Sequence, residues 1–186
     1  TLFTFSTENW RRPSSEVSAI MKLLLKTINI EIKELHKNNV CFTVIGKLSM
    51  LPKSTKQGLY DGVELTKNNS GLNLCLALNY GSRQEIIDAA KSLMKKVQSG
   101  VLSLDELDEN EFSKELYTKN MPDPDLIIRT SGESRLSNFL LWQSAYAEIF
   151  MTNTFWPEFR EKQLIEAIYN YQLRERRFGK LSNQVK

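Results

Sequence analysis

Histidine occurs once in this 186-residue chain, at position 36, and cysteine only at 41 and 75. So few imidazoles and thiols leave zinc sites and Ser-His-Asp machinery poorly supplied. Both cysteines lie in apolar, strand-like runs, where a reduced, buried thiol is expected; this suits a cytoplasmic chain better than a disulfide-stapled secreted one. No apolar run approaches the ~20 residues needed to span a bilayer, and no signal peptide is visible. An excess of one charge is also missing. With 25 basic and 22 acidic residues the net charge is +3, and the small C-terminal cluster of Arg174, Arg176, Arg177 and Lys180 does not make a nucleic-acid face. There is no internal repeat and no low-complexity linker. An initiator methionine is lacking too: the chain opens at Thr1 inside "LFTFS", and part of the domain is expected to precede it.

What is present is ordinary globular material, 41% hydrophobic and 25% charged, enough for one domain over residues 1–186, with a flexible tail expected at 180–186. Apolar runs at 2–6, 40–46, 72–78 and 125–130, and a fifth at 148–152, alternate with helical patterns near 16–37, 54–68, 83–98, 110–117 and 160–176. Near-continuous apolar strands between helices predict an α/β fold with a mostly parallel central sheet flanked by helices. In the first helix Val17, Ile20, Met21, Leu24, Ile28, Ile32 and Leu35 form one stripe, with Ser14 or Ser15 expected as its N-cap after Pro13. His36 falls in the last turn of that helix, where a structural role near the final carbonyls is expected.

Ligands of open parallel sheets bind beyond the carboxyl ends of the strands. Three segments there carry polar groups: "STENWRRP" (6–13), "NYGSR" (79–83) and "RTSGESRLS" (129–137). Ser131 and Gly132 allow the last loop to turn back, so that Arg129 and Arg135 could face one site. Guanidinium forks with serine hydroxyls and free backbone amides match a phosphate or diphosphate; surface salt bridges are the alternative. Glu148, in the mostly apolar "AYAEIF", could reach a Mg²⁺ that bridges it to phosphate oxygens, or pair with an arginine. Trp10 could be a ligand wall or a core residue.

Taken together, "FSTENWRRP", "DLIIRTSGESRLSNFLLWQSAYAE" and "RERRFG", in this order, closely resemble the cis-prenyltransferases, the undecaprenyl diphosphate synthase family, across Leu2 to Gly179. The resemblance implies a Mg²⁺-dependent transferase, usually a homodimer. It would condense isopentenyl diphosphate onto an allylic diphosphate such as farnesyl diphosphate, making a polyprenyl diphosphate for cell-wall synthesis. By match to its motifs, Arg129, Arg135, Leu136 and Ser137 would hold isopentenyl diphosphate and Glu148 would bind magnesium. Ser6, Thr7, Glu8, Trp10 and Arg12 would border the substrate, and Asn9 would assist proton removal. Arg177 and Gly179 match a C-terminal element that can reach a neighbouring subunit. The resemblance also implies an aspartate loop after a strand preceding "LFTFS", which this sequence lacks, so the chain alone is expected to be inactive. Peripheral membrane contact for product release is a further implication. A growing chain needs an apolar tunnel, for which Met21, Leu24, Leu25, Ile28, Leu74 and Leu76 are candidates, plain core packing being the alternative. A noncatalytic subunit of this fold and a nucleic-acid-binding module are the competing readings; the first is disfavoured by the retained diphosphate residues, the second by the balanced charge.

Overall fold

The computed structural model describes residues 1–179 and 181; the expected tail at 180–186 otherwise lies outside them. The chain forms two compact units, Thr1–Asn120 and Met121–Lys186.

In the first unit the strands β1 (Leu2–Ser6), β2 (Cys41–Ile45) and β3 (Asn73–Tyr80) form a parallel sheet in the order β1-β3-β2. The connections are α1 (Ser14–Lys37) and α2 (Lys53–Thr66), and α3 (Ser82–Gln98) and the short α4 (Glu109–Ser113) follow. The β-branched and apolar runs are buried strands because β3, the central one, is covered on both faces: Cys75, Ala77, Leu78 and Tyr80 are all buried. The stripe of α1 is buried as the three- and four-residue spacing predicts. Val17, Met21, Leu24 and Ile28 join Phe5, Phe42, Leu51, Leu59 and Leu78 in one core, with Leu74 and Leu76 packed against it. Of the candidate tunnel residues, Met21, Leu24, Ile28, Leu74 and Leu76 therefore sit in core packing, and Leu25 is half-buried outside that cluster.

Local corrections have simple causes. The N-cap of α1 is Pro13, not Ser14 or Ser15: its φ of −52° suits a helix start, and its carbonyl accepts the Val17 N–H at 3.1 Å. Cys75 is buried on the central strand, which pushes its thiol pKa up, but Cys41, on the edge strand β2, is only half-buried. His36 is exposed in the last turn of α1. The helix expected over 110–117 stops at Ser113.

In the second unit β4 (Leu126–Arg129) and β5 (Glu148–Met151) form a parallel pair, followed by α5 (Glu161–Gln172). The parallel α/β class is as expected; the described strands pair as a three-stranded sheet in the first unit and a two-stranded one in the second.

Candidate functional site

The carboxyl edge of the first unit is built on a hydrogen-bond network around Asn9, Trp10 and Asn79, with one ion pair on its surface. After β1 the chain enters a 3₁₀ turn, Thr7–Arg11, closed because Asn9 Oδ1 accepts the Ser6 backbone N–H at 2.8 Å. Thr7 Oγ1 donates to Glu8 Oε2 at 3.1 Å. Trp10 is half-buried, with its ring edge-on to Phe5 at 5.2 Å and its Nε1–H donated to Asn79 Oδ1 at 2.7 Å. Arg12 pairs with Glu16 at 2.7 Å on the surface. Beyond β2, Gly46 takes φ +113°, and a Cβ there would lie 2.1 Å from the Leu78 carbonyl oxygen, so only glycine lets the strand end approach β3.

A second buried network holds the start of α3. Glu85, fully buried, accepts from Tyr80 Oη at 2.5 Å and from the Tyr117 backbone N–H at 2.9 Å. Tyr117 Oη donates to Asp88 at 2.6 Å, and Gln84 to the other Asp88 oxygen at 2.8 Å. Burial pushes the Asp88 carboxyl up, but these two donors and nearby lysines outweigh it and leave the pKa below its usual value. Burial, then the Asp88 bond, raise that of Tyr117.

The second unit carries charge instead. Arg129 ends β4, half-buried, with its Nε enclosed and without a hydrogen-bond partner. The following loop turns back at Ser131 and Gly132, with φ of +68° and +69°. Their amides, however, are spent on Thr154 and Thr152 carbonyls, both at 2.9 Å, so they are not the free donors expected. Arg135 is exposed and paired with Glu133. Leu136 is half-buried and Ser137 exposed at φ +52°.

Glu148 starts β5 opposite Leu126, whereas Arg129 lies opposite Met151. The carboxylate therefore sits at the amino end of the ladder, three residues or roughly 10 Å along the strands from the arginine. Its partner is Arg174 at 3.2 Å. Next to it Arg176 binds Asp125, the Tyr171 hydroxyl at 3.1 Å and the Tyr146 carbonyl at 3.3 Å, and lies over the Phe178 ring at 4.7 Å. Arg177 pairs with Glu175 at 3.0 Å, and Gly179 is exposed at φ +79°.

Arg135 and Glu148 thus rest in the salt bridges that were their alternative reading, and Arg129 does not; Arg12 and Arg177 are paired as well. Two roles escaped the sequence. Asn79 was visible only as part of a polar loop, and Arg174 and Arg176 only as members of a basic cluster; their partners are distant in the chain.

A family model for undecaprenyl diphosphate synthase matches residues 1–179. The chain is 52% identical over 179 residues to an isoprenyl transferase of Clostridium perfringens, covering 96% of this chain and 71% of that one. A farnesyl-diphosphate-specific ditrans,polycis-undecaprenyl-diphosphate synthase of Micrococcus luteus is 50% identical over 181 residues, 97% of this chain and 73% of its own. Lavandulyl diphosphate synthase from Lavandula x intermedia, solved with dimethylallyl diphosphate, superposes with a TM-score of 0.94 at 35% identity, covering 96% and 77% of the two chains. Motifs, parallel α/β units and these matches agree: the chain belongs to the cis-prenyltransferase family of undecaprenyl diphosphate synthases.

Proposed function

We propose that this prenyltransferase joins isopentenyl diphosphate to farnesyl diphosphate and repeats the step to a long cis-polyprenyl diphosphate, such as undecaprenyl diphosphate, a lipid-carrier precursor for cell-wall glycans. The specificity in the name of the Micrococcus luteus relative supports farnesyl diphosphate as primer. In each step the allylic carbon–oxygen bond breaks, diphosphate leaves with the electron pair, a carbon–carbon bond forms and the isopentenyl unit loses a proton.

The observation that carries this reading is Arg129. A guanidinium Nε shut away from water with no partner costs stability that a diphosphate oxygen would recover. Arg135, exposed and held only by Glu133, would add a second fork, and Ser137 a hydroxyl. Ser6, Thr7, Glu8, Trp10 and Arg12 would border the substrate. Asn9 would orient it: its oxygen already accepts from Ser6 and an amide is a poor base, so the proton goes to water or to a diphosphate oxygen.

Among the described residues no three His, Cys, Asp or Glu side chains gather into a metal cage. A Mg²⁺ held mainly by substrate phosphate oxygens needs a carboxylate from the protein. Glu148 would be that carboxylate once it parts from Arg174; magnesium would offset the charge on the departing diphosphate. A homodimer and cytoplasmic work at a membrane surface complete the proposal; no helix among the described residues is long and apolar enough to cross a membrane.

Calorimetric titration with isopentenyl diphosphate and Mg²⁺ tests the reading without requiring turnover. Wild type should bind and Glu148→Gln should need more magnesium; a wild-type chain that ignores isopentenyl diphosphate would refute it. Extraction of a labelled polyprenyl product from a mixture with farnesyl diphosphate checks the reaction itself.

A further inference from the structure

Asn79 is a polar side chain only 1% exposed at the carboxyl end of the central strand. Its backbone has φ +47°, a left-handed conformation that asparagine accepts more readily than most residues. The side chain ties together the segments that leave both neighbouring strands. Oδ1 accepts the Trp10 indole N–H at 2.7 Å, and Nδ2 donates to the Lys47 carbonyl at 2.7 Å. The backbone carbonyl of Asn79 in turn accepts the Lys47 N–H at 3.2 Å. An indole only donates and a carbonyl only accepts, so the amide has one orientation that satisfies both.

This has a chemical consequence for Trp10. Its single donor is consumed by a buried partner, and its ring is fixed edge-on against Phe5. Such an indole has nothing to offer a diphosphate; it has only its aromatic face, which suits hydrocarbon. We propose that Asn79 is a positioning residue for prenyl transfer, holding Trp10 as an apolar wall for the isoprenoid part of the allylic substrate. The inference rests on the function proposed above.

Titrations with farnesyl diphosphate alone, and separately with isopentenyl diphosphate, test it on Asn79→Leu, Asn79→Asp and Trp10→Phe. Emission of the free protein, after subtraction of the Trp10→Phe spectrum, reports the indole itself. Asn79→Leu should shift that emission and weaken farnesyl diphosphate about three- to tenfold, leaving isopentenyl diphosphate unchanged. Asn79→Asp keeps an acceptor for the indole and, in its protonated form, a donor for the Lys47 carbonyl, and at a pH low enough to protonate it should restore both. In the Trp10→Phe background Asn79→Leu should cause no further loss. Equal losses in both backgrounds, equal weakening of both diphosphates, or an unmoved emission would overturn the proposal. If Asn79→Leu does not fold, Asn79→Asp with wild-type emission but weakened farnesyl diphosphate overturns it as well. A wild-type protein that binds neither diphosphate defeats the underlying function instead, and the emission comparison then still decides whether Asn79 holds Trp10.

Discussion

In the first unit the polar groups near the strand ends are enclosed and matched to neutral or single-charge partners: Asn79 between Trp10 and Lys47, Glu85 between Tyr80 and the Tyr117 amide. The second unit instead holds full charges in partly exposed pairs, Arg135 with Glu133 after β4 and Glu148 with Arg174 at the opposite end of the ladder, and the Arg129 Nε is enclosed with no partner. The contrast teaches a division of labour. A satisfied buried network has fixed geometry and nothing to give a ligand, whereas an exposed ion pair costs little to open and can exchange its partner for a substrate. The first unit's network is closed, and the second unit's exposed pairs are open to exchange.

The strongest way to break this comparison is at Glu85. Glu85→Ala removes the acceptor of the buried Tyr80 hydroxyl and of the half-buried Tyr117 amide and opens a cavity, so it should cost about 3 to 5 kcal/mol of stability by urea unfolding. A cost below about 1 kcal/mol would make the first unit no tighter than the second.

Arg129 comes next, and the effect should appear in binding rather than in stability. Arg129→Ala should weaken isopentenyl diphosphate by about 1.5 to 3 kcal/mol, the scale of a charge-assisted hydrogen bond. Unfolding should hardly change, because the side chain has an unpartnered Nε to lose. A large stability loss with normal binding would turn Arg129 into a scaffold residue.

The Tyr117–Asp88 bond tests the first unit through pH. The Asp88 pKa is lowered in the folded state, so its contribution is present above the ordinary carboxylate range and fades as pH falls through it. The Tyr117 pKa is raised, so its contribution is whole below the ordinary phenol value and fades as pH rises past it. Tyr117→Phe should therefore destabilise by about 1 kcal/mol on a plateau between about pH 5 and 9, and by less on either side. A melting-temperature difference that does not change across that range and beyond would remove the bond from the account.

The fold was readable because its signals are local. The stripe from Val17 to Ile28 and the apolar runs of β1 to β5 repeat at helical and strand periods, and all became elements. The family was readable because its motifs are contiguous. The state of the site was not, since it depends on partners far apart in sequence: Trp10 with Asn79, Arg176 with Asp125, Glu148 with Arg174. Register was equally invisible. "AYAEIF" shows a carboxylate next to a strand, but only the pairing of Glu148 with Leu126 puts it at the opposite end of the ladder from Arg129.

The smallest expected effect sharpens the contrast within the second unit itself. Arg135 has a side chain 66% exposed and a partner only two residues away, so its ion pair with Glu133 is screened by water and salt. Arg135→Ala should change stability by no more than about 0.5 kcal/mol, and added salt should erase even that. If it also weakens isopentenyl diphosphate, by less than Arg129→Ala does, the Glu133 pair is a resting place that the ligand replaces. If binding is untouched while stability falls by more than about 1 kcal/mol, the pair is structural, and the anion site of the second unit shrinks to Arg129.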